Sequence, residues 1–341
     1  MRVGVHPARG TQVETDDAYH RIVIPVYIPN LEGYFKDSFE VLKLSLKSLY
    51  TTIHQKAKIS VVSNGSCIEV NKYLNEELNT ENIDELLIVS SGIGKINSIF
   101  KLINNVKEPL VTLADADVLF TTGWQDAVEN VFMDYPKVGM VCPFSYSKGY
   151  RELTANIFFD NFFNKNIKIS KIENTDALKH FAESIGNLNF YKDIHLKKGV
   201  TFQEKGKSKV FIGAGHFVAT FKTDVFDPYT FQAHLKKMAH GERMFIDTPS
   251  VNCGLWRVST FDNYVYHMGN TIVPMYNTIL SENIKSIPKE KEFYFKVKRV
   301  SKFSFYVKNI FFGRIIFSDK VFKILLSRFG LSNKEANLFI K

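Results

Sequence analysis

Cysteine is scarce: Cys67, Cys142 and Cys253 are odd in number and far apart, which excludes a paired disulfide framework or a cysteine-built zinc site. A reducing compartment is the expectation. Long apolar runs are also lacking, since even Ile310 to Phe317 is broken by Arg314 and falls short of the roughly 18 residues of a membrane span. The opening Met1-Arg2-Val3-Gly4-Val5-His6-Pro7 lacks the apolar core of about 7–15 residues found in a secretory signal. The expected setting is therefore cytoplasmic. No internal repeat or low-complexity linker divides the chain. What is present is apolar content of 45%, enough for a packed core in one large domain or two fused lobes.

Charge is unevenly placed. Residues 285–341 hold fourteen Lys and Arg against four Asp and Glu, a net of +10, so residues 1–284 sum to about −1 and the basicity belongs to this segment. Ten Phe and two Tyr are mixed with those cations. Such interleaving suits a peripheral contact with an anionic membrane at its inner face. It equally suits C-terminal helices that pack their phenylalanines on the body and leave lysines in solvent. No recognition motif accompanies the charge, so nucleic acid is not an expected partner.

Residues 1–20 show no period and read as an extension. Arg21 to Pro29 is a β-branched run closed by prolines, as in a buried strand that ends in a loop. Helical spacing over 37–54, a strand over 58–63 ending at Asn64-Gly65-Ser66, a helix over 69–79 and a strand over 85–90 follow. After Gly92-Ile93-Gly94, helical spacing over 96–103 leads to the strand Leu110 to Ala114, which runs straight into Asp115. Strands thus alternate with helices, predicting an α/β fold with a mostly parallel sheet and ligands at the carboxyl ends of its strands. Beyond Gly123 the pattern mixes: a helix over 124–134, a strand over 138–142, an aromatic stretch over 146–163 and one strand over 210–221.

Two carboxylates at i and i+2 just past a buried strand are costly, because like charges repel and desolvation adds to the penalty. Residues two apart on a strand face one side, so Asp115 and Asp117 can share a hard cation, Mg²⁺ or Mn²⁺, completed by phosphate oxygens and water. The plainer reading is a turn at a strand end, where Asp is common.

The order of these elements resembles the GT-A fold glycosyltransferases, and within them family 2. The resemblance rests on Val23-Ile24-Pro25-Val26-Tyr27, on the strand ending in Asn64-Gly65-Ser66, on the Gly-rich turn, and on Asp115-Ala116-Asp117. It covers about residues 21–145 well and 210–270 more loosely. It implies that Asp115 and Asp117 hold a divalent ion bridging the donor diphosphate. Pro25, Val26 and Tyr27 would pack on the nucleotide base. Asn64 stands where the family usually carries an acidic residue that reads the base, which leaves base identity open. Gly94 would lie along the nucleotide; Lys95 either reaches a phosphate or is a solvated lysine at a helix end.

In the second half the resemblance places Gly213, Gly215 and His216 at the acceptor, although a bulged strand beside the core explains the same residues. Gly241-Glu242-Arg243 resembles the family's acidic motif, so Glu242 or Asp247 is the expected catalytic base. His267 sits where some GT-A enzymes supply a third metal ligand; a packed histidine in an aromatic strand is the alternative. Trp124, Trp256 and Tyr266 either stack on a sugar or are core. The expected organisation is an extension (1–20), a nucleotide-sugar half (21–122), an acceptor half (123–284) and the basic aromatic extension (285–341). The implied activity is an inverting, metal-dependent transfer from a nucleotide-sugar donor to a glycan or lipid-linked acceptor. It is non-processive, since the Gln-x-x-Arg-Trp signature of processive synthases is missing. A sugar nucleotidyltransferase and a non-catalytic carbohydrate-binding protein are the rivals.

Overall fold

The computed structural model describes residues 4–6, 8–11, 17–226, 241–287 and 291–340. Twelve strands are described: β1 (His20–Val26), β2 (Ala57–Asn64), β3 (Glu85–Val89), β4 (Leu110–Ala114), β5 (Val118–Phe120), β6 (Val138–Cys142), β7 (Ile167–Lys171), β8 (Lys198–Phe202), β9 (Val210–Ile212), β10 (Val218–Lys222), β11 (Trp256–Thr260) and β12 (Val265–His267). Ten form one sheet in the order β3-β2-β1-β4-β10-β6-β11-β9-β8-β7, and β12 pairs with β5 in a separate ribbon. The block β3-β2-β1-β4 is parallel throughout. From β10 outward antiparallel neighbours join it, with β6 and β11 again parallel.

The parallel block forms because its strands are β-branched runs buried on both faces: Ile22, Val23 and Ile24 of β1 and Val61 and Val62 of β2 are fully covered. The helices Ser38–Tyr50 and Lys95–Ile103 present Leu42, Leu46 and Leu49, and Ile96, Ile99 and Phe100, to it.

The strand expected over 210–221 is instead two strands, β9 and β10, which lie apart in the sheet. Gly213 causes the break. Its φ is +103°, and a Cβ there would meet the Gly149 carbonyl oxygen at 2.3 Å, so the chain turns out of β9 where only glycine fits.

On the far side of the sheet from the strand ends lies a sealed polar cluster. Glu129, fully buried on the helix Trp124–Asp134, faces His20 Nδ1 and His54 Nε2, each at 3.0 Å, and the Tyr19 hydroxyl at 3.2 Å. Burial alone would raise its pKa, yet the hydrogen bonds with the two imidazoles and the charge of Lys291 hold it well below the usual carboxylate range. Lys291 Nζ donates to Glu129 at 3.0 Å and to Asp126 at 2.9 Å.

Lys291 begins an extended strap over residues 291–300 that packs Phe293, Phe295 and Val297 on the core. The helices Asp319–Phe329 and Asn333–Ile340 follow, with Phe322 and Phe339 fully buried and the Tyr150 hydroxyl donating to the Phe339 carbonyl at 2.8 Å. Most tail phenylalanines are therefore core. Phe303, Tyr306 and Phe311 remain exposed, beside exposed Lys302 and Arg314. Among the described residues no helix is long and apolar enough to cross a membrane.

Candidate active site

Asp115 leaves the end of β4 with its N–H donating to the Phe217 carbonyl at 2.8 Å, which ties the loop to the start of β10. Asp117 opens β5, and its carbonyl accepts from Met268 N–H at 2.8 Å. The β5–β12 register pairs His267 with Val118, so the ribbon brings that imidazole next to Asp117: Nε2 lies 3.4 Å from Oδ2. The other ring nitrogen, Nδ1, is 2.9 Å from Ser184 Oγ, which orients the ring.

Lys95, the first residue of its helix, places Nζ against Asp115 Oδ1. Gly94 makes this possible: at φ +88° it turns the chain into the helix so that Lys95 points at the end of β4. Burial pushes the Lys95 amine down, but Asp115, Glu242 and Asp117 outweigh it and raise its pKa. Asp117 shows the reverse balance, with burial and then Asp115 raising its carboxyl against the opposing pull of His267 and Lys95. Its Oδ1 is buried with no hydrogen-bond partner. Asp115, Asp117, Lys95 and the His267 imidazole thus meet at one mouth, with Glu242 near enough for its charge to act on Lys95.

The remaining candidates divide. Asp247, 7% exposed, is fully engaged: one oxygen meets the Arg257 guanidinium and the other lies 3.1 Å from His216 Nδ1. Arg257 is itself buried and donates to the carbonyls of Ala214 and Glu152, each at 2.9 Å. The pair positions His216, whose side chain is 45% exposed at the mouth. Burial lowers the His216 pKa, but its hydrogen bond with Asp247 and that carboxylate's charge prevail and raise it. Glu242 is partly buried at the start of the turn Arg243–Asp247, near enough for its charge to act on Lys95.

On the nucleotide side, Val26 is buried and Pro25 lies within β1, whereas Tyr27 is 45% exposed. Gly92 packs beside the Tyr27 ring, where an added Cβ would be 3.5 Å away. Asn64 is buried, with Oδ1 accepting from Ile93 N–H at 2.8 Å, so its side chain holds the Gly-rich turn in place. Ala116 is partly buried between the two aspartates. Gly213 packs on Gly149, and Gly215 leads into His216. Trp124 and Trp256 are core: their indoles donate to Thr52 Oγ1 and Asp160 Oδ2. Arg257 and Ser184 act here without any sequence signal, since each reaches its partner across unrelated elements.

Among the described residues no three His, Cys, Asp or Glu side chains are drawn together closely enough to hold a metal as they stand. The donor set nonetheless suits a hard cation. The orphaned Asp117 Oδ1 is an oxygen without a partner, Asp115 already binds a cation in Lys95, and His267 supplies an imidazole.

The parallel β3-β2-β1-β4 order belongs to a large α/β sheet flanked by helices, with Asp115 and Asp117 just past the carboxyl end of β4, where such sheets bind ligands. The chain matches no protein-family model and no curated protein. Among solved structures it is similar to the mannosyltransferase PcManGT from Pyrobaculum calidifontis in complex with GDP-Man and Mn²⁺, at 12% identity and TM-score 0.42 over 72% of this chain. The match spans only 55% of that protein's length. It is also similar to TarS 1-349 from S. aureus, at 11% identity and TM-score 0.43, over 77% of this chain and 70% of that one. The same TarS segment in complex with UDP-GlcNAc matches at 10% identity and TM-score 0.42, over 94% of this chain and 70% of that one.

Proposed function

We propose that the chain is a glycosyltransferase that takes a sugar from a nucleotide-sugar donor, inverting and non-processive. The observation that carries this reading is the pair Asp115 and Asp117 just past the end of a buried parallel strand: Lys95 caps the first carboxylate, and the second turns Oδ2 toward His267 and leaves Oδ1 buried without a partner. Residues 21–122 form the donor side, with Tyr27 beside the base and the Gly94–Lys95 turn along the diphosphate. Residues 123–284 form the acceptor side. Asp115 and Asp117, with His267 beside them, would hold Mn²⁺ or Mg²⁺, which would supply positive charge to offset the negative charge developing on the departing diphosphate. Lys95 adds a second positive charge to the same group.

Glu242 takes the proton of the acceptor hydroxyl as that oxygen attacks the anomeric carbon and the bond to the diphosphate breaks. Asp247 is the positioning residue, since both its oxygens are taken up by Arg257 and His216. His216 then lines the acceptor with Gly213 and Gly215. The acceptor is a glycan or a lipid-linked glycan. Exposed Phe303, Tyr306 and Phe311 with Lys302 and Arg314 support a cytoplasmic enzyme held peripherally at an anionic membrane face.

Calorimetric titration of nucleoside diphosphates with Mn²⁺ tests the site. Asp117→Asn should abolish divalent-dependent binding while the protein stays folded; unchanged affinity overturns the assignment. Turnover separates the rivals: nucleoside diphosphate release from a nucleotide sugar supports the transferase, pyrophosphate chemistry indicates a nucleotidyltransferase, and no turnover a carbohydrate-binding protein.

A further inference from the structure

Away from the carboxylate mouth, the strap and the lower end of the sheet enclose an open cleft of about 660 Å³, lined by Lys222, Tyr294, Lys296 and Lys298 with Pro136 and Leu255. Its volume is that of a small-molecule site. Lys222 ends β10 and pairs in register with Leu110, the first residue of β4, whereas Asp115 follows the last. At about 3.3 Å per strand residue the cleft and the carboxylates are roughly 17 Å apart, at opposite ends of β4.

Lys222 is the unusual group. It is 3% exposed, and its ammonium, with three N–H donors, makes one hydrogen bond, to the Pro136 carbonyl at 2.5 Å. It also rests over the Phe295 ring, 4.4 Å from the centroid. Among the described residues no carboxylate answers it, and none pairs with Lys296 or Lys298. Burial pushes its amine down to about 8, and no other influence opposes this. Lys291, in the same strap, shows the ordinary solution: a buried lysine met by Asp126 and Glu129. A buried ammonium without a counter-charge is costly, and a methionine would fill the same space without that cost.

We propose that this cleft is an anion site that takes a phosphate-bearing ligand through Lys222, Lys296 and Lys298, with the exposed Tyr294 at its rim. The site is separate from the donor mouth and does not depend on the glycosyltransferase reading. The phosphate belongs either to a soluble compound or to the headgroup of an anionic lipid.

The test uses the full chain in EDTA, so that the carboxylate mouth holds no divalent ion. Inorganic pyrophosphate is titrated by calorimetry, and phosphatidylcholine vesicles with or without phosphatidic acid are co-sedimented with the protein. Lys222→Met and the double variant Lys296→Gln/Lys298→Gln should each weaken pyrophosphate binding at least tenfold or abolish pelleting with phosphatidic acid. Loss of pelleting identifies the headgroup as the source, whereas pyrophosphate binding without pelleting identifies a soluble phosphate. Lys222→Met should melt no lower than the parent, and both variants should keep Mn²⁺-dependent nucleotide binding, which separates this site from the donor mouth. The proposal is overturned if the parent shows neither saturable pyrophosphate binding nor charge-dependent pelleting, or if both persist unchanged in the variants. A Lys222→Met protein that melts lower with unaltered binding makes Lys222 a packing residue.

Discussion

Two carboxylate centres sit at opposite ends of the same sheet and are built on opposite rules. Glu129 is sealed from water and answered by two imidazoles, a phenol and Lys291. Asp117 is crowded by a second carboxylate, and one of its oxygens meets nothing. A satisfied buried charge anchors structure, here the strap to the body. An unsatisfied one carries an uncompensated cost and leaves an acceptor open to a ligand.

The largest expected effect comes from breaking the satisfied centre. Glu129→Gln should cost about 3–5 kcal/mol in urea unfolding, because the Lys291 ammonium is left buried with less compensation. Adding Lys291→Met should restore part of that loss, and a loss below about 1 kcal/mol would make the cluster incidental.

An intermediate effect separates the histidines by sign. Burial lowers the His20 pKa, and burial likewise lowers that of His195 to about 4. In the unfolded chain both take up protons near pH 6.5, so stability should fall as pH drops below that value. For His195 the loss is of order 3 kcal/mol by pH 4, and His195→Gln should flatten the curve of melting temperature against pH. His216, raised by Asp247 against burial, carries the opposite sign: its contribution is complete below pH 6.5 and is lost as pH rises through its folded value. Chemical-shift titration of the imidazoles distinguishes the two groups.

The smallest effect sharpens the contrast. Burial and the neighbouring Asp115 disfavour charge on Asp117, so Asp117→Asn should leave thermal stability within about 1 kcal/mol of the parent, with any change upward, in metal-free buffer. A fall of about 2 kcal/mol or more would place Asp117 with Glu129 as a structural anchor.

The parallel half was legible in the sequence because fully buried β-branched runs and intervening helical spacing are local signals. β4 begins at Leu110 and ends at Ala114, as the pattern predicts, and Asp115 and Asp117 follow where such sheets bind ligands. His267 was legible only through resemblance of position, and it lies next to Asp117. The rest depends on distant partners. Nothing local marks Asp247 as the partner of Arg257 in β11, or Glu129 as buried, because an acid on an amphipathic helix ordinarily reads as solvated. The run 210–221 failed as one strand because periodicity does not register the close approach of Gly213 to Gly149.

The seating of β10 between β4 and β6 also sets a schedule for synthesis. β4 is complete at Ala114, but the strand that covers its edge begins at Val218, about 100 residues later. At roughly 5–20 residues per second the ribosome leaves that hydrogen-bonding edge open for about 5–20 seconds. During that interval the nascent sheet offers an unpaired template to any other extended chain. The strand that finally closes it is the one that carries Lys222.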